Sequence, residues 1–229
     1  MVTVVLPWRP QPSRLPAFDD VRAWYAANLP DAEVVTVDSD DDVFVLARCR
    51  NLGVAGVADG DVVVIGDADT IPELAPLHEA IAAAPTSGVV HLPYDEYRWL
   101  GREGTAAFRD GTPLADCDFE LVRGACSGVY VTTPETWRSH GGQDERFRGW
   151  GFEDAAWYIA HETLLGEPPR RHVGRVFALH HTAEVREGPD YDANAARMQR
   201  YRDVSGDPEA MARFMFDVTA SNARVRPGL

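Results

Sequence analysis

The chain has 229 residues, of which 45% are hydrophobic and 25% are charged, so it is long enough to bury a substantial core as one globular domain. Its formal net charge of −14 argues against nucleic acid or an anionic membrane surface as the main partner. Its 3 cysteines have no Cys-x-x-Cys spacing and the opening apolar run stops at Pro7, so we expect a cytoplasmic protein with no disulfide framework, zinc site or membrane span.

Strands and helices alternate along the first part of the chain. The hydrophobic periodicity predicts strands at residues 2–6, 33–37 and 62–66, and helices at 16–28 and 42–57. This alternation predicts an α/β fold in which helices flank a mostly parallel sheet, within a single domain of residues 1–229. Ligands of such sheets bind beyond the carboxyl ends of the strands, so the loops that follow the three strands should converge on one crevice.

The third predicted strand runs directly into a pair of carboxylates. Residues 62–72 read VVVIGDADTIP, which places Asp67 and Asp69 in a short turn. Such a pair suits a hard divalent cation, Mg²⁺ or Mn²⁺, that takes oxygen ligands and shares them with a substrate diphosphate. A solvated turn without a ligand is the alternative that this segment alone leaves open.

A second acidic pair follows an exposed aromatic residue. In residues 141–160, GGQDERFRGWGFEDAAWYIA, Trp150 lies between two glycines, and Glu153 and Asp154 open a predicted helix. Acidic residues are favoured in a first helical turn whatever their function. Beside an indole, however, they suit sugar recognition, because an aromatic face packs on a pyranose while carboxylates accept its hydroxyl hydrogens.

Three further segments lie near these motifs in the predicted fold. The acidic run 38–42 lacks the spacing of a calcium loop and is predicted to be a strand-end turn with a helix cap. Residues 94–123 contain glycines and a proline that interrupt any pattern, and they predict a long functional loop or lid. His180 and His181 follow an apolar strand, a position that suits metal binding only because the D-x-D pair is also present.

These motifs, taken in order, resemble a known family. The chain resembles metal-dependent glycosyltransferases of the GT-A fold, most closely the β-1,4-galactosyltransferase type or glycosyltransferase family 2, as a bacterial or phage relative. The similarity is carried by six segments: VVLPWRP (4–10), VFVLARCRNLGV (43–54), VVVIGDADTIP (62–72), GACSGVYVTTPETWRSHGG (124–142), FRGWGFEDAAW (147–157) and VFALHHTAE (176–184).

The resemblance implies a reaction and its residues. It implies transfer of a sugar from a nucleotide sugar, with UDP expected, to a hydroxyl of a carbohydrate or glycoconjugate, with Mn²⁺ or Mg²⁺ as cofactor. The implied metal ligands are Asp69, His181, Asp67 and His180, with His181 favoured over His180. The implied substrate contacts are Pro7, Arg9, Asp38, Phe44, Arg48, Asp67, Gly128, Trp150 and Glu153, and Asp154 is the implied catalytic base, with Glu153 beside it. Residues 1–90 would form a nucleotide-binding half, 91–204 an acceptor and catalytic half, and 205–229 a tail.

The chain departs from the galactosyltransferase pattern at four positions. Leu46 replaces an arginine that contacts the nucleotide, and Ala178 replaces a metal-binding methionine. Phe152 and Ala155 replace a glycine and an aspartate of the acceptor motif. These differences leave the nucleotide, the sugar specificity and the choice between inversion and retention open. An inactive nucleotide-sugar-binding protein, or another metal-dependent nucleotidyltransferase or phosphohydrolase, remains the alternative function.

Overall fold

The structure is a computed structural model, and it describes residues 1–182 and 187–224. Residues 183 and 184, which end the VFALHHTAE motif, and residues 225–229 of the predicted tail lie outside these ranges. In chain order the strands are β1 (Val2–Pro7), β2 (Glu33–Val37), β3 (Val62–Gly66), β4 (Thr70–Pro72), β5 (His91–Leu92), β6 (Glu96–Trp99), β7 (Glu120–Leu121), β8 (Val129–Thr132), β9 (Arg170–Arg171) and β10 (Arg175–Ala178). The helices are α1 (Leu15–Asn28), α2 (Leu46–Ala55), α3 (Leu74–Ser87), α4 (Gly101–Arg109), α5 (Pro134–Ser139), α6 (Glu153–Leu165), α7 (Pro189–Asp203) and α8 (Pro208–Arg224).

The central sheet has the strand order β2-β1-β3-β8-β5-β9 and is flanked by helices. Its β2-β1-β3 part is parallel, whereas β8 runs antiparallel to both β3 and β5. The sheet is therefore mixed beyond β3, although its first part follows the predicted strand-helix alternation. The predicted α/β class, a single domain with helices around a central sheet, is confirmed.

The core lies where helices cover both faces of β1 and β3. Every residue of β3 is buried, which explains why this strand is an uninterrupted apolar run rather than an alternating one. Helix α2 packs against β1 through Gly53, where an added Cβ would lie 2.2 Å from Cγ1 of Val5. The glycine near the end of the segment VFVLARCRNLGV (43–54) is thus required by close packing.

A second sheet brings two distant segments to the end of β3. Its order is β4-β10-β6-β7, with β4 antiparallel and β6 parallel to β10. Strand β4 starts directly after the D-x-D turn, and the backbone N–H of Leu179 donates to the carbonyl of Asp69 at 2.8 Å. The histidines that follow β10 are thereby carried to the D-x-D turn.

Two segments differ from the sequence expectation by more than one residue. The second helix spans Leu46–Ala55 rather than 42–57, because residues 42–45 form a turn and an extended cap. The prediction that residues 94–123 lack regular structure was wrong, since this segment contains β6, α4 and β7. Its glycines serve packing and helix termination: a Cβ on Gly104 would lie 2.2 Å from the Asp118 carbonyl oxygen, and Gly111 has φ of +101° just after α4. Closure of this segment as a lid stays a prediction.

A second apolar cluster lies where α6, α7 and α8 meet. It comprises Phe147, Ala156, Ala160, Met198, Tyr201, Met211, Phe214, Met215 and Val218. Most of the segment predicted as a tail is therefore helix α8, with buried residues on one face. The division of the chain into two functional halves stays a prediction. Within the described ranges, none of the helices combines the length and apolar character needed to cross a membrane.

Candidate active site

The D-x-D turn is held against the segment that begins β8. The backbone N–H of Asp67 donates to the Gly128 carbonyl at 2.7 Å, and the Gly128 N–H donates back to Oδ2 of Asp67 at 3.2 Å. Gly128 has φ of +96°, and a Cβ there would lie 3.1 Å from the ring of Tyr97. Only glycine fits this backbone without strain. Gly128, one of the predicted substrate contacts, therefore borders the first carboxylate of the pair.

A buried arginine joins the two acidic motifs. Arg50 is 0% exposed; its Nη2 donates to Oδ1 of Asp67 at 2.7 Å, and its Nη1 donates to Oδ1 of Asp154 at 2.5 Å. The hydroxyl of Tyr130 donates to the same Asp154 oxygen at 2.6 Å. Two carboxylates that the sequence places far apart thus share one cation in a single crevice.

Burial governs the proton affinity of these groups. Burial raises the pKa of Asp67 to about 6, although Arg50 opposes the shift. Burial, followed by the charge of Asp154, raises the pKa of Glu153 to about 8. Burial by itself would lower the pKa of Arg50, but the charges of Asp154 and Asp67 hold it above its ordinary value. Glu153 is therefore largely protonated at neutral pH, and Arg50 remains a cation.

The second carboxylate of the D-x-D pair contacts a histidine. Nε2 of His181 lies 2.7 Å from Oδ2 of Asp69, and this hydrogen bond raises the pKa of His181. The ring of His180 instead lies 6.3 Å from the Trp99 ring, and burial lowers its pKa. Of the two predicted histidines, His181 is the one that the fold brings to Asp69.

The donor set at this turn fits a divalent cation that is completed by its substrate. Within residues 1–182 and 187–224, no group of three His, Cys, Asp or Glu side chains is arranged to hold a metal alone. Asp69 and His181 supply one carboxylate and one imidazole, donors that Mn²⁺ accepts, whereas the Asp67 oxygens are engaged by Arg50 and Gly128. Diphosphate and water oxygens would have to supply the remaining ligands.

The predicted nucleotide contacts form a group at the ends of β1 and β2. Arg9 donates to both oxygens of Asp38, from Nε to Oδ2 at 2.9 Å and from Nη2 to Oδ1 at 2.6 Å. Its guanidinium also lies 5.6 Å from the centroid of the Phe44 ring. Pro7 ends β1 immediately before this group. Four of the predicted substrate contacts are therefore neighbours at the carboxyl edge of the sheet.

Arg48 lies in a separate buried network. Its Nε donates to Glu145 at 3.0 Å and its Nη1 donates to Asp41 at 2.7 Å. The side chain of Asn51 donates to the same Glu145 carboxylate at 3.0 Å and accepts from the Trp137 indole at 2.9 Å. These contacts connect α2 to the loop before α6, and a contact of Arg48 with a nucleotide stays a prediction.

The predicted acceptor platform is an aromatic stack. The Trp150 ring is nearly parallel to that of Tyr191, with centroids 6.2 Å apart and planes at 13°, and 39% of Trp150 is exposed. Phe152 adopts φ of +76°, a left-handed conformation that glycine favours, and its ring lies 5.1 Å from Tyr191. The ring contact therefore accompanies a strained backbone at the position where the resembled family has glycine.

Three site residues were not found by sequence reasoning: Arg50, Tyr130 and Tyr191. A signal for Arg50 was present, because Ala47, Arg50 and Val54 have the i, i+3, i+7 spacing of one helix face. An arginine on a core-facing helix stripe requires a buried anionic partner, and the D-x-D pair was an available one. No comparable sequence signal identified Tyr130 or Tyr191.

No protein-family model and no curated protein matches the chain. Among solved structures, a mutant of Drosophila β-1,4-galactosyltransferase 7 in complex with manganese, UDP-Gal and xylobiose is similar, with a TM-score of 0.50, 14% identity, and coverage of 76% of this chain and 66% of that one. The catalytic domain of the same enzyme with xylobiose has a TM-score of 0.57 and 14% identity, and the match covers 85% of this chain and 79% of that one. GalNAc-T7 with UDP, GalNAc and Mn²⁺ has a TM-score of 0.54 and 12% identity, and the match covers 97% of this chain and 54% of that one. This chain thus spans about half to four fifths of these proteins' lengths and has the GT-A fold that they share.

Proposed function

We propose that the chain is a metal-dependent glycosyltransferase that moves a sugar from a nucleoside-diphosphate sugar, with UDP as the expected nucleotide, to a hydroxyl of a carbohydrate or glycoconjugate. The observation that carries the proposal is buried Arg50, which holds Asp67 of the D-x-D turn and Asp154 of the acceptor-side helix at one guanidinium. A donor site and a candidate base are thereby fixed in one crevice, as transfer between two bound substrates requires. Structural neighbours crystallised with UDP, sugars and manganese support the assignment.

Within this class, we propose a transferase of the β-1,4-galactosyltransferase type or of its bacterial or phage, family 2-like relatives. On the donor side, Asp69 and His181 would hold Mn²⁺ or Mg²⁺, and Asp67, already bound to Arg50, would contact the ribose or reach the ion through water. The cation supplies neutralisation of the charge that develops on the departing nucleoside diphosphate. Arg9 and Asp38, together with Phe44 and Pro7, would contact the nucleotide from the neighbouring strand ends.

On the acceptor side, Asp154 is the proposed base. Arg50 and Tyr130 both donate to its Oδ1, which fixes the carboxylate, and Oδ2 accepts no hydrogen bond from the part of the chain that the structure describes. Oδ2 is therefore the oxygen that would take the proton of the attacking acceptor hydroxyl, giving inverted anomeric configuration. Glu153, protonated at neutral pH, would donate a hydrogen bond to a sugar hydroxyl, and Trp150 would stack on the sugar ring.

A binding experiment tests the donor half of this proposal. A panel of nucleotide sugars is measured for thermal stabilisation of the protein with and without Mn²⁺, using the wild type, Asp69→Asn and His181→Ala. We expect at least one UDP-sugar to stabilise only the wild type, and only with the metal. Asp59→Asn is the matched control, because Asp59 forms an exposed ion pair with Arg138 on another surface. Equal stabilisation of the wild type and both site variants would contradict the metal assignment.

A further inference from the structure

A cavity of about 230 Å³ lies outside the crevice, between the loop before α6, helix α7 and the end of α8. Three guanidinium groups contribute to its wall, those of Arg146, Arg148 and Arg197. The remaining lining residues are Glu145, Asp190, Ala193, Asn194, Ser221 and Asn222. These arginines form a basic cluster in a protein whose formal net charge is −14.

Among the residues that the structure describes, Arg146 is the one of these three arginines that forms an ion pair with a carboxylate. Arg146 makes a two-point contact with Asp144, at 2.8 and 2.7 Å. Arg197 has a long hydrogen bond to Asn194, 3.4 Å, and lies 5.3 Å from the Phe147 ring. Across residues 1–182 and 187–223, neither Arg148 nor Arg197 forms an ion pair within 4.0 Å. Burial lowers the pKa of Arg197, and the neighbouring cations Arg146 and Arg200 lower it further against the opposing effect of Asp144.

The two acidic residues of the lining, Glu145 and Asp190, form no ion pair with Arg148 or Arg197 within residues 1–182 and 187–223. Glu145 is nearly buried and accepts hydrogen bonds from Arg48 and from Asn51, both at 3.0 Å, so these contacts hold its carboxylate on the α2 side of the cavity. Asp190 is exposed in the first turn of α7. A guanidinium left without a carboxylate binds phosphate or carboxylate oxygens through pairs of parallel hydrogen bonds. The chemistry of the cavity therefore favours an oxyanion.

The cavity and the acceptor platform are built from the same two segments. Asn194 of α7 donates to the Arg148 carbonyl at 2.7 Å and accepts from the Arg148 N–H at 3.2 Å, so the two segments are joined at the cavity wall. Two residues beyond Arg148, Trp150 stacks on Tyr191, which itself follows Asp190 of the lining. A ligand resting on the aromatic stack thus has an arginine-lined cavity beside it.

We propose that this cavity binds a negatively charged group of the acceptor, a phosphate or a carboxylate, while a neighbouring sugar of the same acceptor rests on Trp150 and Tyr191. The inference depends on the proposed transferase function for its choice of ligand, but not for the existence of the anion site. Because the protein as a whole repels anions, local arginines are the means by which it would select an acidic acceptor over a neutral one.

Calorimetry with sugar probes tests the proposal without donor or metal. The probes are glucose 6-phosphate, glucuronic acid and methyl glucoside, each titrated into the wild type, Arg148→Gln and Arg197→Gln. We expect the two anionic probes to bind at least about tenfold more tightly than the neutral one, and each variant to lose about that factor for the anionic probes alone. Arg213→Gln removes the same charge from an exposed position on α8 and should bind as the wild type does.

A second measurement uses only the wild type and does not depend on whether the variants fold. Inorganic phosphate titrated into ¹⁵N-labelled protein should shift the amide signals of residues 146–148 and 193–197. Equal affinity for neutral and anionic sugars would overturn the acceptor assignment even if phosphate bound in the cavity, and unchanged signals in both segments would overturn the anion site. Failure of Mn²⁺-dependent nucleotide binding would instead count against the proposed function, since no metal or nucleotide enters these titrations.

Discussion

Arg50 donates to Asp154 at 2.5 Å although the two residues are 104 positions apart in the chain. The same guanidinium donates to Asp67 at 2.7 Å, and its Cζ lies 5.0 Å from the ring of Tyr130. Since Arg50 is 0% exposed, its charge is balanced by these carboxylates within the protein rather than by water. The relationship makes Arg50 both a structural link between the two motifs and the group that orients the proposed base.

Replacing Arg50 by Met tests this double role. The variant leaves two partly enclosed carboxylates without their cation, and breaking a buried ion pair costs about 3–5 kcal/mol. We therefore expect the free energy of unfolding to fall by about that amount in urea titrations near neutral pH. Arg138→Met is the control, because its pair with Asp59 is exposed on both sides and should contribute at most about 1 kcal/mol.

Partial rescue distinguishes electrostatics from lost packing. Adding Asp154→Asn to Arg50→Met removes one of the two carboxylate charges that have lost their cation. The double variant should therefore recover part of the lost free energy of unfolding, while its turnover stays low. If the double variant were as unstable as the sum of its two single variants predicts, the carboxylate charge would not be the cause of the loss.

The sequence predicts the first three strands more accurately than the rest of the fold. Strands β1, β2 and β3 follow from apolar runs that end in acidic or proline-containing turns, and these local signals determined their boundaries to within a residue. Strand β8 lies antiparallel between β3 and β5 because of a long connection, which local periodicity does not encode. The glycines in 94–123 suggest interruptions of regular structure. Gly104, however, lies within helix α4 and is required there because the backbone of Asp118 approaches it closely, a tertiary contact that local sequence does not reveal.

The sequence predicted which residues lie in the candidate site where their placement depends on a nearby strand end, and it missed those placed by a distant partner. Asp69 and His181 could be paired because each follows a strand end. The pairing of Arg50 with Asp154 depends on the approach of α6 to α2, which no short-range pattern specifies. Arg48 is predicted to contact the substrate, whereas its ion-pair partners in the structure are Asp41 and Glu145.

The pKa of Glu153 predicts a pH dependence of stability. Its folded pKa of about 8 lies above the ordinary value of 4.5, so the folded state holds this proton more tightly than the unfolded state does. Its contribution to stability is complete below pH 4.5 and is lost as the pH rises towards 8. Glu153→Gln stays neutral, so its free energy of unfolding relative to the wild type should increase between pH 5 and 9. A constant difference across that range would contradict the burial argument.

Kinetics separate the proposed roles of Asp154 and Trp150. Asp154→Asn should lower turnover by about 10²- to 10⁴-fold with donor binding nearly unchanged, because a lost base affects the transfer step. Trp150→Ala should act chiefly by raising the apparent KM for the acceptor, since the stacking contact forms on binding. Glu153→Gln should have a smaller effect than Asp154→Asn, because an amide can still donate the hydrogen bond that the protonated acid donates. Near-normal turnover in Asp154→Asn would move the base elsewhere, with Glu153, the preceding residue of α6, as the next candidate.

The most direct test is metal-dependent release of nucleoside diphosphate from a panel of nucleotide sugars, with wild type, Asp69→Asn and Arg50→Met compared after each is shown to be folded. We expect release from at least one UDP-sugar in the presence of Mn²⁺, its loss on addition of EDTA, and its recovery when Mn²⁺ is restored. Both variants should lose it, because one removes a proposed metal ligand and the other frees both Asp67 and Asp154 from their common partner. Folded wild-type protein that releases no nucleoside diphosphate from any donor with Mn²⁺ or Mg²⁺ would contradict the account. So would an Asp69→Asn variant that releases nucleoside diphosphate as well as the wild type does.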